Sequence, residues 1–509
     1  MEVIKIPYKE TNNHFSKLVL DYLANDPKLK SFIRSFPSLD SFTTQIIQKS
    51  SQQIDRSSLY NVLKSQNLNS SEKTLKNIEN IKEENTFSIT TGHQLCLFTG
   101  PLYLIYKIAA TINLVESLKV KFPENNFIPL FWLASEDHDL DEVSSINLFN
   151  KKIKWNTNQS GAVGKMNTTE VNVLIDQIKE IFGKSENLDD LISLFKKAYT
   201  DNNLSQATRI ILNKFFGDYG LVIIDADSKE LKKQFIDIIK KDVLKNKFYN
   251  DINKIAEEFS KNYKVQAKAR KINFFRIKNN SRDRIDNPTS NDDIESNFFE
   301  YSPNVLLRPL YQELILPNLA YVGGGAEISY WMLLKQVFEN NNIVMPLLIL
   351  RNSALVVTHK NQQKIKKLGI SCHELFNNID LLKKQYTLRN NNDILLNNEI
   401  NDLVEIYDRI KDKIDDVSFK NSLESMKVKN IQMFSNTEKK IIAYFKNRNI
   451  TSLNQLEKII SLLFPENKLQ ERFDNFIPYY LNYGENFIKI LVQELNPLDT
   501  NFVILNLEN

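Results

Sequence analysis

Three clusters of glycines and polar side chains in this chain have the residue types of a ligand site, and the first spans Thr91 to Lys107. Its glycines border a predicted strand-to-helix turn, where the free amides of a helix N-terminus can bind an anion. His93 could donate a hydrogen bond to a phosphate or carboxylate, or His93 and Gln94 could simply cap the turn. The candidate residues are Thr91, Gly92, His93, Gln94, Thr99, Gly100, Tyr103 and Lys107.

The second cluster is acidic and directly follows an apolar segment. Its carboxylates could act as a general base, bind an ammonium group or ligate Mg²⁺. The alternative is an exposed acidic turn without a ligand. Zinc is not expected, because no second histidine lies four residues from His138. The candidate residues are Ser135, Glu136, Asp137, His138 and Asp139.

The third cluster contains a triple glycine, in a chain with only 12 glycines among 509 residues. Glycine lets a ligand approach the backbone closely, although three glycines can also form a plain turn. Two arginines, near this cluster in the order of the predicted strands, could clamp a ligand or form structural ion pairs. The candidate residues are Gly323, Gly324, Gly325, Glu327, Tyr330, Trp331, Arg308 and Arg351.

Continuous apolar strands alternating with helical segments predict the element that positions these clusters, a parallel sheet covered on both faces. Ligands bind at the carboxyl edge of such sheets, and the three clusters lie just past strand ends. We therefore predict an α/β, Rossmann-like core. The predicted strands are Phe87–Thr90, Phe127–Ala134, Leu221–Ile224, Leu319–Val322 and Ile343–Leu350.

The rest of the chain divides into regions of different pattern. Residues 1–85 are helical in pattern, residues 86–385 form the core, and inserts are expected at about 152–204 and 278–300. Residues 390–450 predict an antiparallel coiled-coil hairpin with its turn near Asp416–Lys420, and residues 451–509 return to the core with a strand at Phe502–Leu507. An exposed apolar seam on the hairpin predicts a homodimer. The seam residues are Leu396, Ile400, Leu403, Tyr407, Ile410, Ile414 and Val417.

Composition excludes several classes of protein. The 66 basic and 62 acidic side chains leave a net charge of +4, which does not require a nucleic-acid partner. Two cysteines exclude a disulfide framework, and Cys96 has apolar neighbours that favour a buried, inert thiol. No apolar run is long enough for a membrane span. We expect a cytoplasmic protein.

Four long segments resemble one family, the bacillithiol biosynthesis cysteine-adding enzymes, which are regarded as cysteine ligases. Each segment alone is modest evidence, but together, in this order, they are highly specific. The chain departs from the family pattern where His93 replaces a common Gln and where Gly325 replaces a frequent Pro. The segments are TGHQLCLFTGPLYLIYK (91–107), PLFWLASEDHDLDEV (129–143), LRPLYQELILPNLAYVGGGAEISYW (307–331) and LQERFDNFIPYYLNYG (469–484).

The resemblance implies a core like that of class I aminoacyl-tRNA synthetases and nucleotidyltransferases, with a dimerising coiled coil. It also implies the last step of bacillithiol biosynthesis, in which L-cysteine is joined to the amine of glucosaminyl malate by an amide bond. Amide formation from a carboxylate needs an activated acyl group, so ATP or another nucleotide is expected as donor. Glu136, Asp137 and Asp139 could hold an ammonium group or deprotonate the attacking amine.

Two other functions remain open from the sequence. A nucleotidyltransferase-type or tRNA-related enzyme could use the same core, although no basic, aromatic-rich RNA face is evident. A coiled-coil interaction protein with an idle core is the third interpretation. It does not explain why polar clusters follow several strands.

Overall fold

A computed structural model describes residues 1–148, 151–279, 281–391 and 394–508 of the chain. Its strands form one larger sheet and several smaller ones. The strands are β1 (Glu2–Pro7), β2 (Thr86–His93), β3 (Asn126–Leu133), β4 (Ser145–Leu148), β5 (Lys151–Lys154), β6 (Val222–Asp225), β7 (Phe274–Lys278), β8 (Ser281–Arg284), β9 (Tyr301–Pro303), β10 (Asn318–Gly323), β11 (Leu347–Leu350), β12 (Ala354–Val357) and β13 (Asn501–Asn506).

Helices surround these strands and form the hairpin. Among the described residues, no helix combines the length and apolar character needed to cross a bilayer. The helices are α1 (Lys17–Leu23), α2 (Ser41–Ser50), α3 (Arg56–Gln66), α4 (Glu72–Asn80), α5 (Tyr103–Lys121), α6 (Leu140–Val143), α7 (Asn172–Phe182), α8 (Glu186–Tyr199), α9 (Leu204–Phe216), α10 (Lys229–Lys232), α11 (Ile236–Val243), α12 (Lys247–Ser260), α13 (Asn291–Asn297), α14 (Arg308–Ile315), α15 (Gly325–Met332), α16 (Lys335–Asn340), α17 (His359–Lys367), α18 (Ile379–Arg389), α19 (Asn397–Lys411), α20 (Val417–Arg448), α21 (Ile450–Leu463), α22 (Ile477–Tyr483) and α23 (Glu485–Glu494).

The central sheet is parallel throughout and confirms the Rossmann-like prediction. Its strand order is β11-β10-β2-β3-β6, so the direction of winding reverses between β2 and β10. The fifth strand is shorter than predicted and begins at Leu347, because Pro346 has no N–H to donate to the sheet. A ligand crevice is expected at this reversal point, outside the carboxyl ends of β2 and β10.

Both faces of the sheet are buried because successive side chains of a strand point to opposite sides. Phe131 of β3 packs in the apolar cluster that contains Ile105 and Ile112 of α5, while Trp132 packs in the cluster that contains Leu310 of α14. The α5 side chains Ile105, Ile108, Ile112 and Val115, which recur at helical spacing, are fully buried. The two layers of helices fix the sheet edge on which the polar clusters lie.

A second sheet joins distant parts of the chain. It has the order β1-β13-β12, with β1 antiparallel and β12 parallel to the central β13. The strand expected at Phe502–Leu507 is therefore present, and it belongs to this separate sheet. Helices α1 to α4 follow the helical pattern of residues 1–85, but that region begins with strand β1.

The two predicted inserts differ in structure. Residues 152–204 contain helices α7 and α8, as their spacing indicates. Residues 278–300 were expected to be a loop or insertion, but β8 forms a hairpin with β7 and helix α13 follows, with residue 280 outside the described residues. Strand β9 completes this small sheet, whose order is β8-β7-β9.

The coiled-coil hairpin consists of α19 and α20, with its turn at residues 412–416. The turn comes earlier than predicted because the Asp416 carboxylate caps α20 by accepting a hydrogen bond from the Phe419 N–H at 2.7 Å. Ile414 consequently lies in the turn, and Val417 begins α20. Residues 392 and 393, within the predicted hairpin region, lie outside the described residues.

Candidate functional site

A cavity of about 620 Å³ lies at the carboxyl edge of the central sheet, where the winding reverses. Its walls come from the ends of β2, β3 and β10, the start of α15, and the β7-β8-β9 sheet. Its size lies within the range of ~300–1,000 Å³ that is usual for small-molecule sites. Its polar and charged lining residues include His93, Gln94, Tyr103, Lys107, Ser135, Glu136, Asp137, Glu142, Asp227, Arg282, Ser302, Asn304, Arg308, Glu327, Tyr330, Arg351 and Arg472.

A buried ion pair joins the first and third sequence clusters. Lys107 Nζ lies 2.5 Å from Glu327 Oε2 and donates a hydrogen bond to the Gly92 carbonyl at 3.0 Å. Burial acts to raise the pKa of Glu327, but Lys107 and the Gly324 N–H outweigh it and hold the pKa at about 2. Burial lowers the pKa of Lys107 despite this partner. The Lys107 charge is therefore largely balanced within the protein.

His93 lies beside this pair at the cavity wall, where the protein covers much of its ring. Its Nδ1 donates to the Gln94 carbonyl at 2.9 Å, and its ring packs against Tyr103 with 5.1 Å between centroids. Burial, with the positive charge of Lys107, lowers the pKa of His93 to about 4. Cys96 Sγ lies 3.8 Å from His93 Nδ1, and burial raises the pKa of this thiol to about 12. The imidazole is neutral at pH 7, and the thiol is protonated.

The acidic cluster forms the opposite wall through two sets of contacts. Gln94 Nε2 donates to Asp137 Oδ2 at 2.8 Å and to Glu142 Oε2 at 2.7 Å. Arg282 approaches the same wall from β8, with its guanidinium 3.9 Å from Asp137 and 4.0 Å above the Phe275 ring. The β7-β8 hairpin thus closes one side of the cavity.

A second buried lysine holds two further carboxylates. Lys232 Nζ lies 2.7 Å from Glu136 Oε1 and 2.6 Å from Asp227 Oδ1, and it also donates to the Phe299 carbonyl. Burial raises the pKa of Glu136 although Lys232 opposes it, whereas the pKa of Asp227 is lowered because lysine contacts outweigh burial. Lys232 therefore fixes two acidic side chains at the cavity wall.

The basic wall contains arginines with different partners. Arg351 is ion-paired with Glu471 at 2.7 Å. Arg308 lies 5.6 Å from the ring centroids of Trp132 and Tyr321, and within the described residues neither Arg308 nor Arg472 forms an ion pair. Burial acts to lower the pKa of Arg308, but nearby tyrosines and Glu327 outweigh it and raise the pKa. Two arginine charges at this wall thus lack an acidic partner in the described part of the chain.

The carboxylates at the cavity wall are engaged by nitrogen donors of the protein. In the part of the chain that the structure describes, no group of three or more His, Cys, Asp or Glu side chains is placed to hold a metal ion. Glu136 and Asp227 are occupied by Lys232, while Asp137 and Glu142 accept from Gln94. The donor set fits organic cations better than a fixed Mg²⁺ ion.

Comparison with known proteins agrees with this architecture. Residues 1–352 match the domain described as "Bacillithiol biosynthesis BshC, N-terminal Rossmann-like domain", and residues 354–507 match its "C-terminal coiled-coil domain". The chain belongs to the bacillithiol biosynthesis BshC family.

Curated relatives of the BshC family that bear the name "Putative cysteine ligase BshC" match almost the whole chain. The protein of Flavobacterium johnsoniae is 40% identical over 98% of both chains. That of Cytophaga hutchinsonii is 34% identical over 97% of both chains. That of Bacillus cereus strain B4264 is 26% identical over 92% of this chain and 94% of its own.

Most of the site residues predicted from the sequence meet in the cavity of this BshC-family chain. They come from all three clusters, as the shared sheet edge predicts. Their catalytic and binding roles stay predictions. The predicted residues that line the cavity are Gly92, His93, Gln94, Tyr103, Lys107, Ser135, Glu136, Asp137, Arg308, Gly324, Gly325, Glu327, Tyr330 and Arg351.

The other predicted residues lie outside the lining, in supporting positions. Thr91 donates to the Val322 carbonyl between β2 and β10, and Trp331 is buried against Tyr321. His138 accepts a hydrogen bond from Arg282 on the outer side of the wall, and Asp139 caps α6. The remaining residues of this group are Thr99, Gly100 and Gly323.

A segment after the hairpin supports two walls of the cavity. Asn475 Nδ2 donates to the Phe98 and Gly100 carbonyls, and the Asp474 carbonyl accepts from the Leu102 N–H. Glu471 is fully buried and accepts from Arg351, from the Ser353 hydroxyl and from the Ala354 N–H. The motif at residues 469–484 therefore stabilises the segment before α5 and the position of Arg351.

Sequence reasoning missed several residues of the site. Asp227 follows the end of β6 in the motif Asp225-Ala226-Asp227, a signal that could have placed it at the sheet edge. Arg282 and Asn304 gave no such signal: Arg282 belongs to β8, in the segment predicted to be an insert, and Asn304 directly follows β9. Lys232 resembles any surface lysine until the fold buries it.

Proposed function

We propose that this protein joins L-cysteine to the amine of glucosaminyl malate by an amide bond, the last step of bacillithiol biosynthesis. The observation that carries the proposal is a cavity lined both by carboxylates and by arginines that have no acidic partner among the described residues, in a chain of the BshC family. The acceptor contains an amine and two malate carboxylates, so its charges match the two walls. The curated relatives are named as cysteine ligases, which agrees with this reaction.

The basic wall is suited to the malate carboxylates. Arg308 and Arg472 line the cavity without an acidic partner among the described residues, and a guanidinium can bind a carboxylate through two parallel hydrogen bonds. The aromatic rings around Arg308 limit its motion, which lowers the entropy lost on binding. We assign the acceptor's carboxylates to this wall.

The acidic wall is suited to the amine that attacks. Asp137 lines the cavity, and Gln94 and the His138 N–H orient its two oxygens. Glu136 is less free because Lys232 binds it directly. We therefore propose Asp137 as the base that removes a proton from the acceptor's ammonium group, so that the nitrogen lone pair can attack the activated cysteine carbonyl and displace the phosphate or nucleotide that activates it.

Activation of the cysteine carboxylate requires a donor, and we propose ATP or another nucleotide as this co-substrate. Its phosphates would lie near the N-terminus of α15, where Gly325 borders the cavity and the Gly324 N–H is bound to Glu327. The predicted anion-binding turn before α5 has fewer free amides, because the Phe98, Gly100 and Leu102 N–H groups all bond within the protein. Mg²⁺ would enter with the nucleotide.

Ligation of purified substrates tests the reaction. The protein is incubated with L-cysteine, glucosaminyl malate and ATP, and bacillithiol is measured after thiol labelling. We expect product with the wild type and a loss of at least ~100-fold in kcat for Asp137→Asn, the usual scale of acid–base catalysis. Asp141→Asn, on exposed helix α6, is the matched control and should retain activity. Wild-type turnover in Asp137→Asn would remove Asp137 from the mechanism.

We also propose that the protein forms a homodimer through the hairpin. The seam residues Ile400, Leu403 and Tyr407 are half-buried in the hairpin, whereas Ile410 and Val417 of the same seam are exposed. Helix α20 also exposes Phe419 and Met433. A second copy could cover this surface. Sedimentation analysis should show a dimer that Phe419→Glu and Met433→Glu weaken, and a monomer at all concentrations would contradict this. Cytoplasmic location and independence from nucleic acid stay predictions.

A further inference from the structure

Asp242 of α11 is a carboxylate buried outside the cavity and held by amide groups. It is fully buried, and its oxygens accept hydrogen bonds from the main-chain N–H and the side-chain amide of Asn273, the latter at 3.0 Å. Within the described residues it forms no ion pair. A buried carboxylate held only by amides is costly to fold, so packing alone does not explain it.

Several charged side chains of α11 and of the elements packed on it bind partners other than Asp242. Arg276 of β7 binds Asp293 of α13 and Glu300, and Lys240 binds Glu295 of α13. Lys241 donates to Asn341, and Asp251 of α12 accepts from Asn340. None of these groups makes a hydrogen bond or ion pair with Asp242. Its ionisation is therefore governed mainly by burial and by Asn273.

A chain of hydrogen bonds leads from Asp242 to the cavity. Asn273 Oδ1 accepts from Asn304 Nδ2 at 3.0 Å, and the Asn273 carbonyl accepts from the Asn304 N–H at 2.8 Å. Asn304 Oδ1 then accepts from the Leu306 and Leu307 N–H groups, and its carbonyl accepts from the Arg308 N–H. Asn304 and Arg308 both line the cavity. Asp242 thus fixes the loop from which Arg308 projects.

We propose that Asp242 is a positioning residue, which holds Arg308 in the cavity through Asn273 and Asn304. The proposal deepens the proposed function, in which Arg308 binds a carboxylate of the acceptor. When Asp242 is ionised, both of its oxygens accept from Asn273 and orient that side chain. When it is protonated, one oxygen carries a proton that faces a donor, so a hydrogen bond from Asn273 is lost and the Asn273 side chain is held only by its bonds to Arg270 and Asn304.

Asp242 gains or loses its proton in a pH range that is accessible to experiment. Burial raises the pKa of Asp242 to about 6, against the opposing effect of the Asn273 hydrogen bonds. The carboxylate is therefore ionised at pH 8 and protonated at pH 5. Arg308 should be ordered at the higher pH and displaced at the lower one.

Tryptophan emission reports this change without any substrate. The Arg308 guanidinium lies 5.6 Å from the Trp132 ring centroid and 5.9 Å from that of Trp331, so its displacement alters their surroundings. We expect wild-type emission to titrate with a midpoint near pH 6. Asp242→Asn should show, at pH 8, the emission of the wild type at pH 5, without a midpoint. Asp237→Asn, an exposed position on the same helix, should titrate like the wild type.

Wild-type emission that is constant between pH 5 and 8, or the same midpoint in Asp242→Asn, would overturn the proposal. A purely structural role would lower the melting temperature of Asp242→Asn but would not remove the midpoint. If that variant does not fold, Asn304→Asp replaces it, since the substituted carboxylate can still accept from the Leu306 and Leu307 N–H groups but cannot donate to Asn273, and this variant too should lack the midpoint. Because no substrate is present, failure of the ligation assay leaves this result unaffected.

Discussion

Glu327→Gln isolates the charge of the buried pair between Lys107 and Glu327. Glutamine can still accept the hydrogen bonds of the Gly324 N–H and the Tyr321 hydroxyl, so mainly the interaction with the Lys107 cation is lost. The pKa of Glu327 falls from 4.5 to about 2 in the folded protein. At ~1.4 kcal/mol per pKa unit, the ionised carboxylate contributes about 3 kcal/mol to folding above pH 4.5, and this is lost as the pH falls through about 2.

The loss of unfolding free energy in Glu327→Gln should depend on pH because Lys107 titrates differently in the variant. Burial already lowers the pKa of Lys107, and removal of Glu327 takes away the main group that raises it. In the variant, Lys107 can lose its proton at alkaline pH, and the folded state then binds fewer protons than the unfolded chain. Stability therefore rises with pH relative to the wild type. We expect a loss of about 3 kcal/mol at pH 6 and a smaller loss at pH 9.

Urea denaturation followed by tryptophan emission measures this effect. All three tryptophans, Trp132, Trp155 and Trp331, lie in the Rossmann-like domain, so their signal reports its unfolding. Glu116→Gln breaks a partly exposed pair with Lys119 on α5 and should cost less than about 1 kcal/mol. A loss below about 0.5 kcal/mol for Glu327→Gln at pH 6, or the same loss at pH 6 and 9, would refute the reasoning.

Three further perturbations test the contacts around the cavity. Lys232→Met leaves Glu136 buried without its ammonium partner and Asp227 with Lys165 alone, which should cost about 3–5 kcal/mol at pH 8. The cost should be smaller at pH 5.5, because burial raises the pKa of Glu136 and the variant lacks the lysine that opposes this shift. Thermal denaturation at both pH values measures this against exposed Lys233→Met, and equal losses would contradict it. Asn475→Ala removes the donors to the Phe98 and Gly100 carbonyls and should lower the free energy of unfolding by about 1–3 kcal/mol. Hydrogen exchange should become faster in residues 95–103 but not in α12. Unchanged exchange in residues 95–103 would show that Asn475 does not stabilise that segment. Gly100→Ala and Gly183→Ala both place a side chain at positive φ, but only Gly100→Ala brings a Cβ within 2.4 Å of Cys96 Cβ. In urea denaturation, Gly100→Ala should therefore lower the free energy of unfolding by at least about 1 kcal/mol more than Gly183→Ala. Equal losses would show that the contact with Cys96 relaxes without cost.

Much of the central sheet could be predicted from the sequence because its signals are local. Continuous apolar segments mark buried parallel strands, and the predicted strands at Phe127–Ala134 and Leu319–Val322 lie within one residue of β3 and β10. The three polar clusters meet because parallel strands bring their carboxyl ends to one edge. The ion pair between Lys107 and Glu327 follows from this geometry, although neither residue alone predicts that the two side chains meet.

The remaining parts depend on contacts between distant residues, which a single sequence does not encode locally. Glu471 and Lys232 are of residue types that usually lie on the solvent-exposed surface. Only the fold reveals that each is buried against an opposite charge. The small sheet with Arg282 was predicted to be a loop because its sequence is polar and rich in turn residues. The early end of α19 reflects a cap at Asp416 that outweighs the apolar repeat.

The second sheet has a consequence for the order in which the protein can assemble during synthesis. Its central strand, β13, is made about 500 residues after β1, which pairs with it, so β1 has no partner strand until β13 has left the ribosome. Glu471 and Asn475, which hold two walls of the cavity, also emerge late. A nascent chain that has completed only the Rossmann-like sheet would thus contain most of the cavity residues without a finished cavity, so activity should begin only after translation of β13.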